Sequence, residues 1–430
     1  MIKGLVLGKF FPLTLGHCGL IDFASKRCDK LYVLLCVNKD ENISGTTRLW
    51  WLSKLAEKYN NIELKFTDVD LPSSSVSDWE ISKVWSEYLK SIIDFDIIFT
   101  SEKYGDYVAE ILNIKHIPYN IDRNIMPVSG TLVRENPFKY WDYLPEYVKP
   151  YFVKKIAIIG TESTGKSTLT ENLAKYFKTN FVPEWGRIIV NRTMECKYEN
   201  LLDIGYLHAK DISDKRQIAN KILFSDTELN TTKIYSDFLF NIDIKFDKWI
   251  EDTNRFDLYL FLDNDAPYVQ DGTRLPREER DKLQNYYLNV FKDHKNILYR
   301  ISGSDWNERT QKAIDIVKMN EASSELALLS NLYSFYLQKY GEDKTKFKEQ
   351  VNFLQEQGEI SKKSVTKFFK ENGITTPTYL SAGVKVTTKS GRAHSDNGCG
   401  SDQSVGCGSI SPKTNFRSYD NGCGSSKSGC

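Results

Sequence analysis

The stretch Lys154-Lys155-Ile156-Ala157-Ile158-Ile159-Gly160-Thr161-Glu162-Ser163-Thr164-Gly165-Lys166-Ser167-Thr168 dictates how the chain on either side of it folds. Ile156 to Ile159 is a short continuous apolar run, the pattern of a strand buried on both faces of a parallel sheet. Gly160 to Ser167 then fits G-x-x-x-x-G-K-[ST], and Leu169 to Phe177 reads as a helix. Strand, glycine loop and helix in that order are the context a phosphate-binding loop requires. Backbone N–H groups from Gly160 through Thr161, Glu162, Ser163, Thr164 and Gly165 to Thr168 can cradle the phosphates of ATP, helped by the helix N-terminus. Lys166 adds a cation, and the Ser167 hydroxyl can ligate Mg2+. A glycine-rich turn in an ordinary α/β protein is the bland alternative; the strand and helix in place favour the phosphate loop.

Downstream of the loop, Phe181-Val182-Pro183-Glu184-Trp185-Gly186-Arg187 falls where small-molecule kinases of this fold place substrate-binding groups. Glu184 is a candidate general base for a substrate hydroxyl, with Arg187 orienting or neutralising charge beside it. A surface ion pair between the two is the alternative. Ile222 to Glu228 reads as a strand ending in an acid, which makes Asp226 a candidate Mg2+ ligand. Whether Glu184 or Asp226 serves as the kinase base stays open. Leu258 to Leu262 is a further apolar strand. The run from Asp263 through Asp265 to Arg274, followed by Arg277 and Arg280, reads as a lid whose arginines close over phosphates. A solvated charged loop is its alternative.

A complete unit precedes all of this. Ile2 to Leu7 is a short apolar strand, followed by Gly8-Lys9-Phe10-Phe11-Pro12-Leu13-Thr14-Leu15-Gly16-His17, a helix continuing through Leu20 to Ala24, and a buried strand from Leu31 to Val37. Strand, glycine-containing turn, helix and strand open a doubly wound α/β domain. Arg48 to Tyr59 and Trp79 to Ile92 read as amphipathic helices. Ile97 to Thr100 is a strand running into Ser101-Glu102-Lys103-Tyr104-Gly105, and strand ends are where such sheets place ligands.

Two elements of this unit carry a resemblance. Thr14-Leu15-Gly16-His17 resembles the (H/T)-x-G-H signature of the nucleotidyltransferase superfamily. Val128-Ser129-Gly130-Thr131-Leu132-Val133-Arg134 resembles its I-S-x-T-x-x-R element. The resemblance implies that His17 and Thr14 donate to the α- and β-phosphates of ATP. Ser129 and Thr131 would then bind the β- and γ-phosphates, Arg134 would bond a phosphate bidentately, and Lys9 would add a cation. Gly8, Phe10 and Gly16 would complete the ATP-binding turn.

More specifically, the chain resembles the bacterial bifunctional NadR family over about residues 1–335. Gly8-Lys9-Phe10-Phe11-Pro12 matches the family's opening, although Thr14 stands where the family usually has His. Ser77-Asp78-Trp79-Glu80 to Trp85-Ser86 resembles its tryptophan-containing stretch beside the nicotinamide pocket. An indole there can stack on a cationic pyridinium ring, or the tryptophans can serve as helix core. Tyr104 and Asp122-Arg123 match as loop elements near substrate. In the second half, Glu184-Trp185-Gly186-Arg187 resembles E-[YW]-x-R, Asp265 to Arg274 resembles D-x-P-x-x-x-D-G-x-R, and Gly303-Ser304-Asp305-Trp306 to Arg309 resembles an element near the adenine.

The resemblance implies a Rossmann-like nucleotidyltransferase domain over 1–150, followed by a P-loop kinase α/β domain over 153–335. It implies phosphorylation of nicotinamide riboside to the mononucleotide, and transfer of AMP from ATP to the mononucleotide to give NAD and pyrophosphate. Mg2+ and ATP are expected at both sites. The alternatives are a nucleotide-sensing regulator, or the same enzyme acting on another nucleoside or nucleotide. Some family members carry a DNA-binding domain before the transferase half. This chain opens directly on the first strand, so no such domain is expected there.

Composition is consistent with small-molecule partners. The formal net charge is +1, from 58 basic and 57 acidic residues, which gives no support for broad binding to nucleic acid or anionic membrane. No long uncharged apolar run exists, so no membrane span is expected. Cys18, Cys28, Cys36 and Cys196 read as reduced core residues of a cytoplasmic protein, and homo-oligomer formation is left open. Asn136 to Phe152 is dense in aromatics and proline, which points to a packed junction between the halves. Residues 336–390 form a polar extension in which Ser361 to Asn372 can be a helix ended by Gly373. Residues 391–430 contain eight Gly, nine Ser and four Cys, a composition that cannot bury a core and is expected to be disordered.

Overall fold

Short apolar runs set the strands, and the loops between them set the order. The computed structural model describes residues 1–375 apart from 40, 73–77, 123, 126, 194–196, 266–276, 295–296, 321–328, 331, 334–335, 338–339, 342 and 357–359. The expected tail over 391–430 lies outside the described residues.

The first sheet contains β1 (Lys3–Gly8), β2 (Lys30–Cys36), β3 (Ile62–Thr67), β4 (Ile97–Thr100) and β5 (Lys115–Pro118). Its order is β3-β2-β1-β4-β5, and every pairing is parallel. β1 is central, and its Leu5 and Val6 are fully buried because helices cover both faces. β2 and β4 flank β1, so the crossovers leave in opposite directions and open a crevice at the C-terminal end of β1. Gly8 ends β1 at that crevice.

The second sheet contains β6 (Lys154–Ile159), β7 (Phe181–Val182), β8 (Ile222–Asp226), β9 (Leu258–Leu262) and β10 (Leu298–Ile301). Its order is β10-β9-β6-β8-β7, again all parallel. β6 lies between β8 and β9, so the glycine loop that leaves β6 emerges at a second crevice. In the register, Ile158 sits opposite Asp226, which brings the acid at the end of β8 beside the loop.

The junction is packed. Phe138, Trp141, Leu144, Val148 and Val153 are buried in a core that is continuous with both sheets. Tyr151 meets Trp51 edge-on at 5.4 Å, and the Arg216 guanidinium donates to the Pro150 carbonyl at 2.8 Å. Burying aromatics of this size contributes roughly 2–3 kcal/mol each.

After the helix Trp306–Asn320, a separate small apolar cluster forms from Leu329, Leu332, Phe347, Val351, Leu354, Ile360, Val365, Phe368 and Phe369. It draws on the helices Thr345–Glu356 and Lys362–Glu371. Ser361 caps the second of these by accepting from the Ser364 N–H at 3.2 Å, and Gly373 follows it at φ +60°. Because Leu329 and Leu332 belong to this cluster, it straddles residue 335. Among the described residues, no helix is long and apolar enough to cross a membrane.

Candidate active sites

At the end of β1 the chain turns through Phe10, which is buried at φ +43° and meets the His17 ring edge-on at 5.3 Å. Thr14 is buried and caps the helix Leu15–Ser25. Its backbone N–H donates to His17 Nδ1 at 3.1 Å, and its hydroxyl lies 2.9 Å from the same nitrogen. A ring nitrogen that accepts a backbone N–H carries no proton, so the proton of the neutral ring sits on Nε2 as a donor.

The second element docks on the first. Ser129 caps the helix Gly130–Glu135, accepting from the Leu132 N–H at 3.2 Å. A Cβ on Gly130 would lie 2.9 Å from the Phe11 carbonyl oxygen, so the close approach of the two loops requires glycine. Arg134 donates to that same Phe11 carbonyl and, at 3.0 Å, to Thr131 Oγ1, with its guanidinium 4.2 Å from the Phe11 ring centroid.

Together these loops bound a cavity of about 830 Å³, which suits a nucleotide-sized ligand. Gly8, Lys9, Phe10, Thr14, Gly16 and His17 form one wall, and Ser129, Gly130, Thr131 and Arg134 another. Trp85, Ser101, Glu102 and Tyr104 complete it. Burial pushes the Cys36 thiol on this wall up to about 12, so it stays protonated and acts as packing.

Trp79 and Asp122 are not brought to the wall. Trp79 is exposed, with its ring edge-on to Tyr107 at 5.6 Å, and Asp122 is exposed on a turn. Trp85, on the same helix Trp79–Ile92, is the indole that faces the cavity. Ser77 and Arg123 lie outside the described residues. Glu41 is on the wall, and nothing in its polar surroundings in the sequence marks it.

The second crevice is built on backbone conformation. Gly160 has φ +139°, and a Cβ there would lie 2.6 Å from the Leu262 carbonyl oxygen. Gly165 has φ +82°, and a Cβ would lie 2.3 Å from the Trp306 ring. Gly165 is the N-cap of the helix Lys166–Phe177 and no side chain caps it, which leaves the first-turn N–H groups disposed toward an anion. Lys166 is buried, and its ammonium donates to the Thr161 carbonyl at 3.0 Å, as the Thr164 hydroxyl does at 2.8 Å. Glu162 accepts from the Tyr235 hydroxyl at 3.0 Å.

Asp226 is 2% exposed. Burial, reinforced by the charge of Glu184, pushes its pKa up to about 6, against the pull of Lys166, the Ser167 hydroxyl bonded to it, and Arg187. Glu184 pairs with Arg187 at 3.1 Å. The structure thus brings Lys166, Ser167, Glu184, Arg187 and Asp226 into one electrostatic group. Trp185 turns aside, its indole N–H donating to Asp211 at 3.2 Å.

Arg309, which the sequence placed only as part of an element near adenine, is 2% exposed. It donates to the Thr164 carbonyl of the loop at 3.0 Å, to the Asp263 carbonyl at 2.6 Å and to the Asp265 carboxylate at 3.1 Å. Asp265 also accepts from the Gly303 N–H at 2.6 Å. Arg274 lies outside the described residues. Arg277 begins the helix Arg277–Val290, and its side chain is likewise outside them.

A parallel sheet with a capped His17 turn at its switch point, joined to a second sheet with a glycine loop and an adjoining carboxylate, defines a nucleotidyltransferase domain fused to a P-loop kinase domain. Residues 3–119 match the family described as the citrate lyase ligase C-terminal domain, and residues 155–309 match an AAA domain family. The chain is 31% identical over 340 residues to the trifunctional NAD biosynthesis/regulator protein NadR of Escherichia coli K12, covering 73% of this chain and 82% of that protein. The same figures hold for the protein of that name from Salmonella typhimurium LT2. The chain belongs to the NadR family. Its fold is shared with a NadR protein crystallised with NR, at a TM-score of 0.56 and 20% identity over 73% of this chain and 94% of that one. It is likewise shared with a NadR protein in complex with NAD and AMP-PNP, at 0.57 and 21% over 74% and 95%.

Proposed function

We propose that the chain carries out two consecutive steps of NAD biosynthesis. The second domain transfers the γ-phosphoryl group of ATP to the 5′-hydroxyl of nicotinamide riboside. The first domain then transfers AMP from a second ATP to the mononucleotide, giving NAD and pyrophosphate. The observation that carries this reading is the presence, on one chain, of a glycine loop with an adjoining buried carboxylate and a separate cavity lined by His17, Ser129, Thr131 and Arg134.

In the kinase site the loop N–H groups and Lys166 stabilise charge on the transferring phosphoryl group, which needs positioning more than covalent help. Glu184, paired with Arg187 at 3.1 Å, takes the proton of the substrate hydroxyl, and Asp226 is assigned to the metal beside Ser167. Mg2+ fits beside them. Ser167 and Asp226 offer hard oxygen donors, and Asp226 Oδ1 is buried without a hydrogen-bond partner. Those two residues would hold the ion, which neutralises polyphosphate charge when bound.

In the transferase site a phosphate oxygen of the mononucleotide attacks the α-phosphorus of ATP, and the bond to the bridging oxygen breaks to release pyrophosphate. His17 Nε2–H, Thr131, Arg134 and Lys9 stabilise the charge that develops. Trp85 lines this cavity and is the indole assigned to stack on the pyridinium ring. Chromatography of products from ATP with nicotinamide riboside, and separately with the mononucleotide, tests the reading. NAD from both supports it. NAD from neither rejects the substrate assignment.

A further inference from the structure

The loop after β2 supplies a carboxylate that neither motif of the first site includes. Glu41 lies on the cavity wall with its side chain only 8% exposed. One N–H and two cations converge on it: the Asn38 N–H donates at 3.1 Å, and the Lys9 ammonium and Arg48 guanidinium form ion pairs with it at 3.1 Å and 2.7 Å. Burial opposes its ionisation, but the Asn38 N–H and the two cations outweigh burial and hold its pKa below the ordinary value.

Arg48 and Lys9 have different tasks. Arg48 is fully buried and donates to the Lys9 carbonyl at 2.8 Å, so it closes the loop from behind. Lys9 has a side chain 44% exposed on the cavity wall. An ammonium carries three donors, so the ion pair with Glu41 leaves donors to aim elsewhere. A lysine on a flexible stem loses rotamer freedom when it binds a phosphate. A fixed carboxylate that holds the stem beforehand removes part of that loss, which is preorganisation.

We infer that Glu41 is a positioning residue, aiming the Lys9 ammonium at the polyphosphate of the ATP used for adenylyl transfer. The inference rests on the adenylyl-transfer reading of this cavity. Glu41 acts only through Lys9, since its own charge repels phosphate.

The test is a double-mutant cycle in the full chain, with Glu41→Ala, Lys9→Ala and the pair. It is read in kcat and KM for NAD formation from ATP and the mononucleotide. ATP binding is read by calorimetry in a Lys166→Ala background, which removes the kinase loop's cation. Each single variant is expected to lower kcat about tenfold with a smaller change in KM, and the pair to be no worse than Lys9→Ala alone. Glu41→Gln keeps the shape and an acceptor oxygen, guards against loss of fold, and is expected to recover most of the kcat. Additive losses would overturn the inference. So would a Glu41→Ala protein that binds ATP more tightly at unchanged kcat, because Glu41 would then be a counter-ion that phosphate displaces. A wild-type protein that binds ATP but makes no NAD would reject the adenylyl-transfer reading instead. In that event the ATP-binding cycle decides the coupling, with non-additivity supporting it and additivity opposing it.

Discussion

The two phosphate loops of this chain leave the same kind of strand and enter the same kind of helix, yet they are made differently. After β1, the helix is capped by the Thr14 side chain, and the phosphate donors we propose are side chains on the cavity wall: His17, Lys9, Thr131 and Arg134. After β6, the cap is a glycine with no side chain, and the donors we propose are the backbone N–H groups of the loop itself. In the first construction each proposed donor is a separate side chain that can be removed singly. The second depends on conformations that only glycine adopts without strain.

That contrast can be broken most sharply at Gly165. Gly165→Ala must accommodate φ +82° and a Cβ 2.3 Å from the Trp306 ring. Kinase turnover is expected to fall about 100-fold, the size of effect a displacement of about 1 Å produces. Adenylyl transfer, assayed on the same sample, is expected to stay within about twofold of wild type, because the sites share no residue.

A pH effect separates the halves further. His208 is buried, with Nε2 2.9 Å from the Ser225 hydroxyl on β8, and burial lowers its pKa to about 4. The folded state favours the neutral ring, so its contribution to stability is complete above the unfolded value near 6.5. It is lost as the pH falls from there toward about 4. Between pH 7.5 and pH 5 this residue should cost the kinase half about 2 kcal/mol, and His208→Gln should flatten that dependence. Denaturant midpoints at the two pH values, followed by a kinase-domain probe, check it.

The smallest effect tests the capped loop. Thr14→Ala removes the cap oxygen and should cost about 1 kcal/mol of stability, with a loss confined to adenylyl transfer. Thr14→Ser should restore most of both. Thermal melts and NAD-forming rates of the two variants provide the measurement.

The parts of the fold legible in the sequence were those where burial is uniform. Ile97–Thr100 and Leu258–Leu262 were read at their observed bounds because central parallel strands are unbroken apolar runs. Of the edge strands, β3, β5 and β10 are hidden by their composition. Ile-Glu-Leu-Lys-Phe-Thr, Lys-His-Ile-Pro and Leu-Tyr-Arg-Ile interleave polar residues where one face meets solvent. The helix after β1 begins at Leu15, ahead of the apolar residues that signalled it, because the Thr14 cap sets its start.

Among site residues, the glycine loop was legible because its chemistry is local in sequence. Which of the two tryptophans of the 79–86 stretch meets the first cavity was not. Trp79 and Trp85 share one helix, and six residues at about 100° each place their indoles roughly 120° apart around its axis, so only one can face the cavity. Glu41 and Arg48 were illegible for another reason. Their partner Lys9 is 39 residues from Arg48 along the chain, and only the parallel pairing of β1 with β2 brings them together.

Whether two separate sites act in series is decided by complementation. Lys166→Ala and His17→Ala proteins are each incubated with ATP and nicotinamide riboside, and then mixed. No NAD is expected from the Lys166→Ala protein unless mononucleotide is added. Accumulated mononucleotide is expected from the His17→Ala protein, and NAD at a substantial rate from the mixture. If either variant loses both activities, or the mixture makes no NAD, the two sites are not separate and action in series is contradicted.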